Sequence, residues 1–206
     1  MKVLIINGSP LRNGNTTEVL KPFIARLSGL GADIETIFLN DYKVLPCLEC
    51  RACQNTPDAY GCPREDDVCE LMDHIAACDL LVLATPIYTW YCTPEMKALM
   101  DRHYMLNKFY GSAPRQQLIP RLSIALLTTN GYEDDYANEP FETGVMRWCR
   151  HCGWDYAGRY SVRDIDGICD MQTPEAIEGA RHFAEQLVAR FDVSRETYEA
   201  GQADEK

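Results

Sequence analysis

Four cysteines, Cys47, Cys50, Cys53 and Cys62, fall within sixteen positions of one another in the stretch PCLECRACQNTPDAYGCP, spaced Cys-x2-Cys-x2-Cys-x8-Cys-Pro. Three thiolates at every third position can converge on one face of a cubane 4Fe-4S cluster, and a fourth from a short loop can close it. The same set could hold a structural zinc, although all-cysteine zinc sites more often use two separated pairs. A third reading needs no metal, because free cysteine packs as a small apolar residue. Spacing alone leaves the three open.

A second kind of chemistry sits in three polar loops that each follow an apolar run. NGSPLRNGNTT, residues 7–17, combines glycines that let the backbone approach a ligand with the hydroxyls of Ser9, Thr16 and Thr17. The helix that follows contributes free N–H groups and the positive end of its dipole, so this is the pattern of an anion site. It is neither a Gly-Lys-Ser/Thr phosphate loop nor a Gly-x-Gly-x-x-Gly fingerprint; the plain alternative is an ordinary strand-to-helix turn. TPIYTWYCTP, residues 85–94, sets three aromatics where a flat ring could lie against Tyr88 or Trp90, with core packing as the competing role. TTNGYEDDY, residues 128–136, again gathers Thr, Asn and Gly.

The elements that must position these loops alternate. KVLIIN, ADIETIFL, DLLVLATPI, RLSIALLTT and WDYAGRYSVRDI have the length and apolar character of strands. Between them, Asn15–Leu30 spaces Val19, Phe23, Leu27 and Leu30 on one helix face, with Pro22 as a predicted kink. Residues 66–77, roughly 140–151, and two segments opening on Thr-Pro at Thr93 and Thr173 supply further helices. Alternating β and α units predict a doubly wound five-stranded parallel sheet with helices on both faces, whose ligands bind beyond the carboxyl ends of strands. One domain over 1–192 carries the cysteine insert at 46–63, and 193–206 reads as a polar, mobile tail.

Composition narrows the partners. A net charge of −11 opposes nucleic acid and anionic lipid surfaces. No apolar run approaches the roughly 18 residues of a membrane span, and the short N-terminal run before Asn7 is too brief for a signal peptide. A cytoplasmic chain with reduced cysteines is the expectation.

NGSPLRNGNT, ATPIYTWYCTPEMKALMDR and LTTNGY, in that order, resemble the flavodoxin-like NAD(P)H-dependent FMN reductase family over roughly residues 1–190. The resemblance implies an FMN phosphate on Ser9, Asn15, Thr16 and Thr17, with the isoalloxazine against Pro86, Ile87, Tyr88, Thr89 and Trp90. Thr129, Asn130 and Gly131 would add further contacts. Family members carry a basic residue directly after Ser-Pro; here Leu11 intervenes and Arg12 takes that role one place later. Iron–sulfur flavoproteins, a branch of the same superfamily, have a similar compact cysteine motif with a shorter last gap, so Cys69 competes with Cys62 as fourth ligand. The implied activity is electron transfer from NAD(P)H through FMN to a second acceptor, with no general acid or base. The alternative is an iron–sulfur electron carrier exchanging single electrons with a redox protein, and a nucleotide-binding regulator without turnover is a third class. A homodimer or homotetramer is implied.

Other reactive side chains have plainer expectations. Cys78 and Cys92 read as packing residues, Cys149, His151 and Cys152 as parts of a helix, His103 as a satisfied interior histidine, and Glu133, Asp134 and Asp135 as a solvated loop.

Overall fold

The run KVLIIN forms β1 (Lys2–Asn7), buried from Val3 onward because a central parallel strand is covered on both faces. In the computed structural model, which describes residues 1–112 and 114–203 and side chains as far as residue 193, four more strands join it. These are β2 (Asp33–Phe38), β3 (Leu80–Pro86), β4 (Ser123–Asn130) and β5 (Asp155–Arg163). All pairings are parallel, in the order β2-β1-β3-β4-β5. This is the flavodoxin-like α/β arrangement, with the order reversing between β1 and β3.

Five helices flank the sheet: α1 (Asn15–Gly29), α2 (Val68–Ala77), α3 (Pro94–Asp101), α4 (Asp134–Cys152) and α5 (Pro174–Ala203). Successive strand residues point to opposite faces, which divides the core in two. Val3, Ile5, Val82 and Leu127 pack with Phe23 and Leu27 of α1 and Ala184 and Leu187 of α5. Leu4, Ile6, Leu83 and Leu126 pack with Leu71 of α2, Met96 of α3 and Phe141 of α4.

Three boundaries differ from the sequence pattern. Helix α4 starts at Asp134 with Pro140 inside it; Asp134 and Asp135 complement the first-turn dipole, a signal that outweighs the preference of proline for a helix start. It ends where Gly153 takes φ 67°, the left-handed conformation glycine adopts without strain, and Trp154 N–H donates back to the Cys149 carbonyl at 2.9 Å. Helix α3 stops at Asp101 and gives way to a tight 3-10 turn, Arg102–Met105, which turns Arg102 into the protein. Helix α5 runs on to Ala203, past Phe191 where its apolar periodicity fades; the last three residues of the expected tail lie outside the described residues.

The cysteine insert is a loop with one 3-10 turn, Ala52–Asn55, contacting a two-stranded ribbon of Asn107–Lys108 and Gln116–Gln117 on its Asn107–Lys108 side. Among the described residues, no helix is long and apolar enough to cross a membrane.

Candidate functional site

Strands β1, β3 and β4 are neighbours and parallel, so the loops after them share one edge of the sheet. In the first loop Ser9 is buried; its N–H donates to Asn7 Oδ1 at 3.0 Å, while its hydroxyl donates to the Leu11 carbonyl at 3.1 Å and accepts the Leu11 N–H at 3.2 Å. The chain thereby turns tightly into Gly14, the cap of α1. No side chain caps this helix, so its first-turn N–H groups call for an outside acceptor. At Gly8 a Cβ would come within 2.7 Å of Met96 Cε and 3.1 Å of Thr93 Oγ1, so a side chain there would have to displace the end of Met96 and crowd Thr93.

Short bonds tie the three loops together. Thr16 Oγ1 and Thr129 Oγ1 share a buried hydrogen bond of 3.0 Å, and the Thr129 carbonyl accepts the Ile87 N–H at 2.8 Å. Thr93 Oγ1 donates to the Gly8 carbonyl at 2.8 Å, and Asn7 Nδ2 donates to Thr17 Oγ1 at 3.0 Å. Asn15 Nδ2 reaches Asp164 Oδ2 beyond β5 at 2.7 Å. Ser9, Asn15, Thr16, Thr17, Ile87 and Thr129 are therefore brought together. Arg12 is not: its guanidinium pairs with Asp41 and lies 4.4 Å from the centroid of Phe38.

The second loop is a tight hairpin. Tyr88 N–H donates to the Tyr91 carbonyl at 2.8 Å and Tyr91 N–H to the Tyr88 carbonyl at 3.1 Å, with Thr89 at φ 51° and Trp90 at φ 62° between them. Two-residue hairpins of this hand need positive φ at both central positions, which Asn-Gly supplies without penalty. A β-branched Thr there is strained, by about 1–3 kcal/mol. Tyr88 and Trp90 remain exposed. Trp90 stacks on Tyr132, 6.0 Å between centroids at 8°, and meets Tyr136 edge-on at 5.7 Å.

In the third loop Asn130 is 4% exposed, its Nδ2 donates to Ser161 Oγ at 2.7 Å, and its buried Oδ1 has no partner among the described residues. Gly131 is exposed and follows it directly. Tyr132, Tyr136 and Asp164 were not singled out in the sequence. The first two stand inside TTNGYEDDY, where an aromatic at i and i+4 of a loop entering a helix is the signal that could have found them.

Cys47, Cys50, Cys53 and Cys62 line one pocket, together with Arg64 and Arg102. Cys69 does not line it. Cys47 and Cys50 are exposed, and Glu49 and Arg51, which flank Cys50, take φ 53° and 61°. Among the described residues, no three His, Cys, Asp or Glu side chains stand gathered as a metal site. Burial pushes the Cys53 thiol up, opposed by the Gln54 amide and the Lys108 charge; burial also raises Cys69.

Long buried polar side chains fix the insert. Lys108 Nζ donates to the carbonyls of Cys53 (2.9 Å), Ala59 (2.6 Å) and Tyr60 (3.2 Å), pinning both ends of the long last gap in the motif. Gln54 donates to the carbonyls of Tyr104 and Asn107 and accepts the N–H groups of Phe109 and Tyr110. Arg102 forms a buried ion pair with Asp66 at 2.7 Å and donates to Cys62 Sγ at 3.2 Å. Burial alone would raise the Asp66 carboxyl, but Arg102 and the N–H groups of Leu45 and Val68 outweigh it and hold the carboxyl below its ordinary value.

The remaining candidates are structural. Cys92, Cys149 and Cys152 are buried in the core; burial raises the first two thiols to about 12 and the third to about 11. Cys78 is likewise raised by burial to about 12. His151 shares a hydrogen bond with the Tyr110 hydroxyl. His103 departs from the satisfied histidine expected: Nδ1 meets the Met100 carbonyl at 3.0 Å, but the buried Nε2 has no partner among the described residues. Glu133, Asp134 and Asp135 are exposed as expected, but Asp134 and Asp135 belong to the first turn of α4 and not to a loop, and the three carboxylates pair with Arg163 and Arg159.

Residues 1–128 match the family described as NADPH-dependent FMN reductase. An iron-sulfur flavoprotein from Methanocaldococcus jannaschii is 34% identical over 102 residues, which are 50% of this chain and 51% of that protein. Another from Methanosarcina thermophila is 30% identical over 108 residues, 52% of this chain and 55% of that one. The chain thus spans about half the length of these relatives. The solved structure of an NAD(P)H:quinone oxidoreductase from Methanothermobacter marburgensis has the same fold, with a TM-score of 0.63 at 23% identity over 89% of this chain and 92% of that one. With its first three strands, the 7–17 loop and the aromatic hairpin all inside the matched region, the chain belongs to the NADPH-dependent FMN reductase family.

Proposed function

We propose that this protein is an FMN-dependent oxidoreductase that passes electrons from NADH or NADPH through bound FMN to a second acceptor. One observation carries the reading: three strand-end loops are bonded into a single edge that still has unmet hydrogen-bonding capacity. The uncapped start of α1 calls for an anion, and the buried Asn130 Oδ1 calls for a donor. A ligand with a phosphate at one end and a flat, N–H-bearing ring at the other answers both, so the residues fit FMN.

In this reading Ser9, Asn15, Thr16 and Thr17 hold the phosphate, Thr16 through its N–H because its hydroxyl is engaged by Thr129. Pro86 to Trp90 and Thr129 to Gly131 border the ring. Arg12 joins the phosphate only by leaving Asp41. Bound FMN supplies the hydride and single-electron chemistry. The chain's own residues orient the ring against a hairpin whose amides are fixed in advance, and Tyr88 and Trp90 leave an exposed aromatic surface on which a nicotinamide can stack. No side chain is needed as a general acid or base.

The exposed rings of Trp90, Tyr132 and Tyr136 beside the site support pairing of two copies over it, as a homodimer or homotetramer. The ten cysteines suit a reducing compartment, so we place the chain in the cytoplasm. Titration of the flavin-free chain with FMN, followed by anaerobic NADH or NADPH, tests the function. FMN fluorescence should be quenched on binding and the bound flavin bleached by the nicotinamide. A chain that takes up no FMN at micromolar concentration overturns the proposal.

A second reading, the iron–sulfur electron carrier, is favoured by four thiols and three guanidinium groups, with the single carboxylate of Asp101, lining one pocket. Soft sulfur donors beside the buried Arg102 suit an anionic 4Fe-4S centre, around which the exposed Cys47 and Cys50 would turn inward. About four irons and matching sulfide per chain after anaerobic reconstitution would support it.

A further inference from the structure

We propose that Arg102 is a positioning residue of the cysteine pocket, donating to the Cys62 sulfur so as to raise the reduction potential of the 4Fe-4S cluster these thiols would hold. The inference rests on the iron–sulfur reading. Arg102 is 2% exposed, and its place is fixed on three sides: NH1 donates to the Leu45 carbonyl at 2.9 Å and to Asp66 Oδ2 at 2.7 Å, and NH2 reaches Asp66 Oδ1 at 3.3 Å. The same NH2 is left 3.2 Å from Cys62 Sγ. A rigid planar fork held in this way presents an N–H to the sulfur without having to order itself.

The pocket has more donors than this one bond uses. Arg102 Nε and Arg64 Nε are both buried and without partners among the described residues, and both side chains line the pocket of the four thiols. Buried unpaired donors are rare because their hydration is not replaced. Two of them around one group of sulfurs, with Arg51 as a third cation and Asp101 as the one carboxylate of the lining, mark a place for negative charge. The arrangement also selects Cys62 over Cys69 as the fourth ligand, since Cys69 lies outside the pocket.

The effect on potential follows from charge. Reduction by one electron, drawn from a redox protein or the reduced flavin, makes or breaks no bond and adds one negative charge to the cluster. Asp66 balances Arg102 overall, but the cationic end of the pair faces the sulfur. An N–H donor and a positive end near the sulfur therefore favour the reduced form, and hydrogen bonds to cluster sulfurs are an established lever on potential. Removing the carboxylate instead of the guanidinium should act in the opposite sense, which mere damage to packing would not do.

The test uses the full chain, reconstituted anaerobically and loaded with FMN, with iron and sulfide assays and a redox titration followed by electron paramagnetic resonance. Arg102→Lys should lower the cluster midpoint by roughly a tenfold loss of preference for the reduced form, about 59 mV for one electron. Asp66→Asn should raise it, and the FMN midpoint should stay in place in both. An Arg102→Lys protein that keeps FMN but loses iron also supports the positioning role. Should Arg102→Lys fail to fold, the upward shift in Asp66→Asn decides. Unmoved cluster midpoints with iron intact overturn the inference alone. Native chain free of iron and sulfide overturns the iron–sulfur reading and the inference with it.

Discussion

The two candidate centres are built by opposite means. The strand-end loops are tied by groups that reach only a few ångströms: backbone amides, four threonine hydroxyls and two asparagine side chains. The cysteine insert is held by long buried side chains: Arg102 and Lys108 reach in to its sulfur and its backbone, and its own Gln54 reaches out to the backbone of residues 104–110. Short ties suffice where the sheet already delivers the loops to one edge. A long insert has no such scaffold beneath it, and burying charge is the means by which this chain holds it. The cost is vulnerability, because a buried ion left without its partner is far more damaging than a lost hydroxyl.

The largest effect should therefore come from the insert. Arg102→Ala leaves the Asp66 carboxylate buried without its partner, and a loss of about 3–5 kcal/mol is expected from denaturant unfolding. The counterpart on the flavin side, Thr93→Val, leaves only the Gly8 carbonyl short of a donor and should cost about 1–3 kcal/mol. Equal losses from the two would break the contrast.

Acid sharpens it next. Burial, reinforced by the charges of His151 and Lys97 and opposed by the Met100 carbonyl and Asp101, lowers His103 from 6.5 to about 4. Between those values the unfolded chain binds a proton that the folded chain refuses, so stability is whole above about pH 6.5 and falls as pH drops towards 4. The shift corresponds to about 3 kcal/mol. His103 adjoins Arg102 in the turn that anchors the insert, whereas the flavin-side ties between Thr16, Thr129, Thr93, Gly8 and Ile87 contain no ionisable group. Hydrogen exchange at pH 5 should show the 102–108 segment opening before residues 7–17, and His103→Gln should flatten the pH dependence of the unfolding midpoint.

The same asymmetry explains what could be read from the chain. Five apolar runs at strand length dictate the sheet, and the polar loops after the first, third and fourth are visible because strand periodicity stops there. Ser9, Thr16 and Thr129 were legible in that way. Arg102 was not: in TPEMKALMDRHYML it reads as one more helical surface residue, and only the end of α3 at Asp101 turns it inward. Lys108 is hidden for the same reason, since nothing local says that an ammonium will be buried among carbonyls 48 to 55 residues away. The cysteine spacing was plain, but its support comes from elsewhere in the chain. Arg12, the basic residue within the 7–17 loop, was legible as a cation and not as a partner of Asp41.

The smallest expected effect is the most specific to function. Hairpins with two residues at positive φ are stable with Asn-Gly, yet this one carries Thr89 and Trp90. Thr89→Gly removes a strained β-branched residue, and the gain is reduced by the extra freedom glycine has when unfolded, about 0.5–1 kcal/mol. A net stabilisation of about 1 kcal/mol is expected in urea unfolding. The same freedom loosens amides that the proposed function requires to be fixed before the ring arrives, so FMN affinity should fall several-fold while the fold gains. A hairpin that lost stability on this change would not be strained, and the flavin edge would then owe its order to ordinary turn chemistry and not to a conformation held against its own preference.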